Sequence, residues 1–155
     1  MFMIMILNDV MLKQNVFTKI SLKSGDKELP KELKVKVMRI RMAYSKIKKN
    51  FDAEVREFSE ELMSEEFKEL NNKVERTSEE EARLVELTNS INAEYQEFLI
   101  QKGKEEVANI DDSLSLDEYS DIVEVNAGNT VEINGHEISS EDFLEAVYEL
   151  FVKED

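Results

Sequence analysis

The sequence predicts a predominantly helical α+β fold: a long antiparallel helical hairpin, coiled-coil-like, projecting from a small head with a short β-strand and a β-hairpin element. Three observations predict it. Apolar residues recur every three or four positions from Leu33 to Leu62, a spacing that puts them on one face of a helix. One Pro and four Gly in 155 residues leave few places to turn, which favours helices. Asn134-Gly135 stands between two short runs of β formers, Thr130–Ile133 and His136–Ile138, and Asn-Gly takes the positive φ angles of a two-residue turn at low cost.

The elements follow in chain order. The length suits a single domain, 1–155, with its own core, and 41% apolar content sets it apart from a disordered chain. Residues 1–29 supply the strand and short helix of the head. Met3 to Leu7 is apolar and short, as a buried strand is. Asn8 or Asp9 can then cap a helix with Leu12, Val16, Phe17 and Ile20 on one face, stopped by Gly25. A strand over Asn15–Leu22 is the competing assignment, and the helix is preferred.

Residues 30–103 form the helical hairpin. Pro30 suits a first helical turn. The seam behind it comprises Leu33, Val37, Ile40, Tyr44, Ile47, Phe51, Val55, Phe58 and Leu62, and the two consecutive steps of four between Ile47 and Val55 straighten the supercoil. Past Leu62 the pattern shifts by one to Met63, Phe67, Leu70 and Val74, which predicts a break near Ser64. Unbroken from Pro30 to Val74, the helix would be roughly 65 Å long, more than a compact domain of this size can wrap. Val35, Met38 and Met42 make a second apolar row, so the first turns are expected to be sandwiched within the head. Ser78 and Glu81 read as a capping box opening the return helix, with Leu84, Leu87, Ile91, Tyr95 and Phe98 as its stripe and Gly103 as its end. Residues 104–121 read as an acidic connection. Residues 122–155 add a strand over Ile122–Val125, the Asn-Gly hairpin, and a helix capped by Ser139 or Ser140 with Phe143, Leu144, Val147, Tyr148 and Phe151 inward.

Charge is sorted along the chain. Lys19–Lys49 holds eleven basic and three acidic residues, a net +8, and Asn50–Asp155 holds eight basic and thirty-one acidic, a net −23. The total of −15 disfavours DNA and anionic lipid as partners. Lys34, Arg41 and Lys48, spaced by seven, form a basic stripe beside the seam, and pairing with Glu79–Glu81, Glu86, Glu94 and Glu97 is expected to offset it. Pairing with a partner protein ranks next, and nucleic acid last. Glu65, Glu66, Glu69, Glu79, Glu80 and Glu81 make an acidic surface, which on a rigid scaffold can imitate a phosphate array. Without Cys there is no disulfide, thiolate metal site or thiol nucleophile. Met1–Leu7 lacks the basic leader and cleavage site of a signal peptide, and no membrane span is expected.

Convergent chemistry is scarce. His136, the single His, sits beside the turn and reads as a surface residue. Asp111, Ser113, Ser115 and Asp117 alternate like the start of a calcium loop, but Leu116 replaces the needed Gly and Ile122 the bidentate Glu. Glu65-Glu66-x-x-Glu69 with Glu118-x-x-Asp121 resembles the acidic motif of all-helical nucleotide pyrophosphohydrolases, with its second half in an expected loop. No catalytic, cofactor-binding or metal-binding residue is assigned, and no cofactor is expected.

MIMILND (Met3–Asp9), KELPKELKVKV (Lys27–Val37) and SSEDFLEAVYELF (Ser139–Phe151) together resemble a family of small uncharacterised proteins of tailed phages and prophages. That family is similar in its order of strand, short helix, Leu-Pro junction, long charged helix, return helix and terminal helix; the Asn-Gly hairpin has no match in it. The resemblance implies phage origin, a bacterial host cytoplasm or virion as location, and action through protein contacts. The expected function is a non-enzymatic protein-interaction module, with the seam as partner-binding surface and a protein partner, self included. Virion or assembly duty comes first. The alternatives are an acidic, nucleic-acid-mimicking inhibitor of a host defence or nucleic-acid enzyme, and then a metal-dependent nucleotide pyrophosphohydrolase.

Overall fold

A computed structural model describes residues 5–107 and 110–153. Its elements run β1 (Met5–Ile6), α1 (Leu7–Phe17), β2 (Lys23–Ser24), β3 (Lys27–Glu28), α2 (Lys31–Leu62), α3 (Glu65–Asn72), α4 (Ser78–Gly103), β4 (Glu106–Val107), α5 (Leu116–Asn126), β5 (Val131–Ile133), β6 (His136–Ile138) and α6 (Ser140–Phe151). The fold is predominantly helical α+β. The strands pair antiparallel as β1 with β4, β2 with β3 and β5 with β6. No helix among the described residues is long and apolar enough to cross a membrane. The chain divides into two compact units, Met1–Ile47 with Glu106–Asp155, and Lys48–Glu105.

The first unit holds the core. Phe17 of α1 meets Phe151 of α6 edge-on at 5.0 Å between centroids and Tyr44 of α2 at 5.9 Å. Around these rings Val10, Ile20, Leu33, Val37, Ile40, Ile122, Phe143 and Val147 are buried. Aromatic pairs in such geometry add about 0.5–1.5 kcal/mol each beyond the area they bury. Ser139 caps α6 by accepting the Asp142 N–H at 3.2 Å. Leu114 N–H donates to the Phe151 carbonyl at 2.8 Å and the Lys153 N–H to the Leu114 carbonyl at 3.1 Å, holding the end of α6. Asn134 and Gly135 take φ of +52° and +79°, so the β5–β6 turn forms as the dipeptide predicts.

The second unit combines the distal part of α2 with α3 and α4. Phe58 stacks on Phe98 at 4.1 Å, and Lys102 pairs with Glu54. The expected break falls at Met63, and Ser64 caps α3 by accepting the Phe67 N–H.

Several expectations are corrected. Of the described part of Met3–Leu7, Met5–Ile6 is strand and Leu7 already belongs to α1, while Met3 and Ile4 lie outside the described residues. Asn8 and Asp9 therefore sit in the first helical turn rather than capping it. Leu12 is 57% exposed, and Ile20, though buried, follows the helix. Gly25 does not stop a helix: at φ +60° it turns β2 into β3. The return helix is capped one residue earlier than expected, by Thr77 and Glu80 in a reciprocal box. Val74 of the shifted seam is 99% exposed, and Met63 is exposed too. The 104–121 connection contains β4 and the start of α5, and Ile122–Val125 is helix, not strand. A second capping box explains this: Ser115 accepts the Glu118 N–H at 3.1 Å while Glu118 accepts the Ser115 N–H at 2.9 Å. Finally, Val35, Met38 and Met42 are not sandwiched; they stand exposed on the side of α2 turned away from the core.

Candidate partner-binding surfaces

Nine residues make up the predicted seam, and the structure gives them two different surroundings. Leu33, Val37, Ile40 and Tyr44 are buried in the core of the first unit, and Ile47 packs half-buried against it. These positions are consumed by the chain's own fold. Phe51, Val55, Phe58 and Leu62 are half-buried, and so are all five members of the α4 stripe, Leu84, Leu87, Ile91, Tyr95 and Phe98. In the second unit only Leu70 counts among the buried apolar side chains of the described residues. Each of these side chains thus keeps part of its apolar surface open to solvent. Beside the Phe58–Phe98 stack, a groove is rimmed by Glu94, Glu97 and Gln101.

The basic stripe is engaged locally. Lys34 pairs with Glu28, and Lys48 with Asp52 at 3.1 Å. Arg41 turns inward and donates to the Ile20 carbonyl, and burial lowers its pKa. Nearby, Lys36 reaches Glu118 at 2.8 Å. Burial pushes the Glu118 carboxyl up, but the Lys36 ammonium and the Ser115 N–H outweigh it and hold the group below the ordinary glutamate value. Lys31, Arg39 and Lys46, by contrast, are exposed, and among the described residues no carboxylate lies within ion-pair distance of them.

Of the acidic surface, Glu65 meets Lys68 at 3.7 Å, Glu66 takes a two-pronged bond from Arg83 at 2.6 and 3.2 Å, Glu80 pairs with Lys73, and Glu81 accepts from Arg76 at 2.8 Å. The Arg83 bond holds Glu66 below the usual carboxylate range, and the Lys73 bond does the same for Glu80. Glu69 and Glu79 are exposed. The six acids are thus interleaved with cations around the α3–α4 turn rather than forming a bare anionic array. Glu118, the second half of the pyrophosphohydrolase-like pattern, serves as the α5 cap and the partner of Lys36. No cluster of three His, Asp or Glu able to hold a metal ion occurs among the described residues. His136 is exposed at the β5–β6 turn, as its position implied.

Two buried polar groups escaped the sequence reading. Asp112 is 6% exposed, accepts the Tyr44 hydroxyl and lies 3.4 Å from the Lys13 ammonium. Asn126 is 2% exposed; it accepts the Ser21 N–H at 2.8 Å and donates to the Ser21 and Ile122 carbonyls at 3.2 and 2.9 Å. A tyrosine in an apolar seam requires an acceptor for its hydroxyl, which signals that a partner exists without locating it. Both groups brace the core. No protein-family model, curated protein or solved structure matches this chain.

Proposed function

We propose that this chain is a non-enzymatic protein-interaction module. In this reading, distal α2 and α4 form an antiparallel helical hairpin that docks a partner protein along its half-covered seam. The carrying observation is that nine large apolar side chains, from Phe51 to Leu62 and from Leu84 to Phe98, are all half-buried. Partly open apolar side chains aligned along two helices can still gain burial from a partner, and a further helix laid into the groove would supply it. The phage-type setting and a virion or assembly role rest on the family resemblance alone.

The acidic-inhibitor reading has a narrower basis. Glu57, Glu60 and Glu61, near the end of α2, are exposed without a cation in ion-pair reach among the described residues. Both readings meet in one experiment. A photo-crosslinking amino acid is placed at Leu62 on the seam, at Leu87 on the α4 stripe, or at exposed Ser90, in cells that produce the protein. Adducts of defined mass from Leu62 and Leu87, absent at Ser90 and persisting at about half-molar salt where surface charge is screened, support apolar docking. Adducts that vanish at that salt support the acidic reading. Equal labelling from all three positions would sink both.

A further inference from the structure

The exposed side of α2 carries a second surface that the core does not use. Val35, Met38 and Met42 are 56%, 51% and 72% exposed. Their steps of three and four align them, and at about 100° per residue they lie opposite Leu33, Val37, Ile40 and Tyr44. Lys31, Arg39 and Lys46 fall on the same side, all exposed, with no carboxylate in ion-pair reach among the described residues. The result is a cationic stripe with an apolar spine rich in methionine.

The groove beside Phe58 and Phe98 has the opposite character. Its floor is two stacked rings. Its rim carries Glu94 and Glu97, both exposed, and neither has a cation within ion-pair distance among the described residues. Thioether sulfur packs well against aromatic rings. A guanidinium matches both a ring face and a carboxylate. Each surface therefore lacks what the other offers.

We propose that the α2 stripe of one copy of this chain seats in the Phe58–Phe98 groove of a second copy. Met38 and Met42 meet the rings, and Arg39 and Lys46 pair with Glu94 and Glu97. The proposal rests on the seam's being a docking surface and names a second copy as its occupant. Charge complementarity selects that occupant. A nucleic acid would use the cations and leave the methionine spine idle. An anionic membrane would face the carboxylates of the rest of a chain carrying −15. The like net charge of two copies acts at long range and is screened beyond about 8 Å at physiological salt, while the contacting pairs lie inside that distance.

The test is the solution mass of the full chain by sedimentation across a concentration series. The wild type is expected to exceed the monomer mass at high concentration. Arg39→Glu/Lys46→Glu and Glu94→Lys/Glu97→Arg are each expected to remain monomeric with unchanged helical circular dichroism. Their equimolar mixture is expected to associate again, because reversing both partners restores the match. A wild type that stays monomeric overturns the proposal, and so does a mixture that fails to associate. Association unaffected by either double variant but lost in Phe98→Glu overturns it too, while leaving the seam as a docking surface. A monomer that binds a DNA duplex or anionic vesicles through Arg39 and Lys46 also overturns it.

Discussion

At the scale of single residues, the interior is held by a few polar groups whose partners come from far along the chain. Burial first, and then the bond to Asp112, raises the Tyr44 hydroxyl well above the ordinary tyrosine value. An unfolded chain would ionise that hydroxyl near pH 10, so its stabilising share is complete below that pH and declines as the pH climbs further. Tyr44→Phe leaves Asp112 with only Lys13 and is expected to cost about 1–3 kcal/mol at neutral pH. The gap from wild type, read from urea midpoints, should narrow above about pH 10. An equal gap at neutral and alkaline pH would show that the hydroxyl does not matter through its proton. Asn126→Ala is expected to cost about 1–3 kcal/mol, since the Ser21 N–H and carbonyl lose their partner in a partly buried setting. Faster amide exchange at Ser21 would report the same loss. Neither long-range partnership was legible beforehand: Ser21 and Asn126 are 105 positions apart, and nothing local marks such a pair.

At the scale of elements, most helices were legible and their ends less so. The seam from Leu33 marked α2, and Asn134-Gly135 marked the terminal hairpin, because in both the local signal and the final packing agree. Helix α5 was misread because Ile122, Val123 and Val125 are good strand formers. What decides it is Ser115 with Glu118, a cap three residues apart, and the burial of Ile122, Val125 and Asn126 together on one helical face. Ser115→Ala is accordingly expected to cost about 1 kcal/mol by urea denaturation. Glu118, held low, contributes stability that is present above the ordinary glutamate value near 4.3 and lost as pH falls through its folded value. Glu118→Gln should therefore flatten the acid limb of the stability curve. Gly135→Ala is expected to cost about 1–2 kcal/mol, the usual penalty for a side chain at positive φ. The row Val35, Met38 and Met42 is legible as a second apolar face, but its spacing does not say what covers it. A second apolar row reads the same in sequence whether the chain covers it or leaves it bare, and in the fold it is left bare.

At the scale of the whole molecule, the two compact units differ in how much they bury. The first, Met1–Ile47 with Glu106–Asp155, carries eleven basic and nineteen acidic residues, a net −8, over a core of fully buried aromatic and aliphatic side chains. The second, Lys48–Glu105, carries nine and sixteen, a net −7, and owns Leu70 as its buried apolar side chain among those described. Like charge destabilises both, but apolar burial opposes it far more strongly in the first. Local opening should follow that difference, because segments with little buried apolar area open at low free-energy cost. In dilute solution, amides in the middle of α4 are expected to exchange faster than those of α1 and α6, by at least tenfold if the difference in opening free energy reaches about 1.4 kcal/mol. Raising the salt should slow exchange in both units by screening the repulsion. With a second copy docked as proposed, raising the protein concentration should slow it selectively in α4 and over residues 31–46 of α2, since a docked surface opens only after its occupant leaves. Uniform protection across α1, α4 and α6 at every concentration would show that the half-covered stripes cost the molecule nothing, and that no second surface is waiting to cover them.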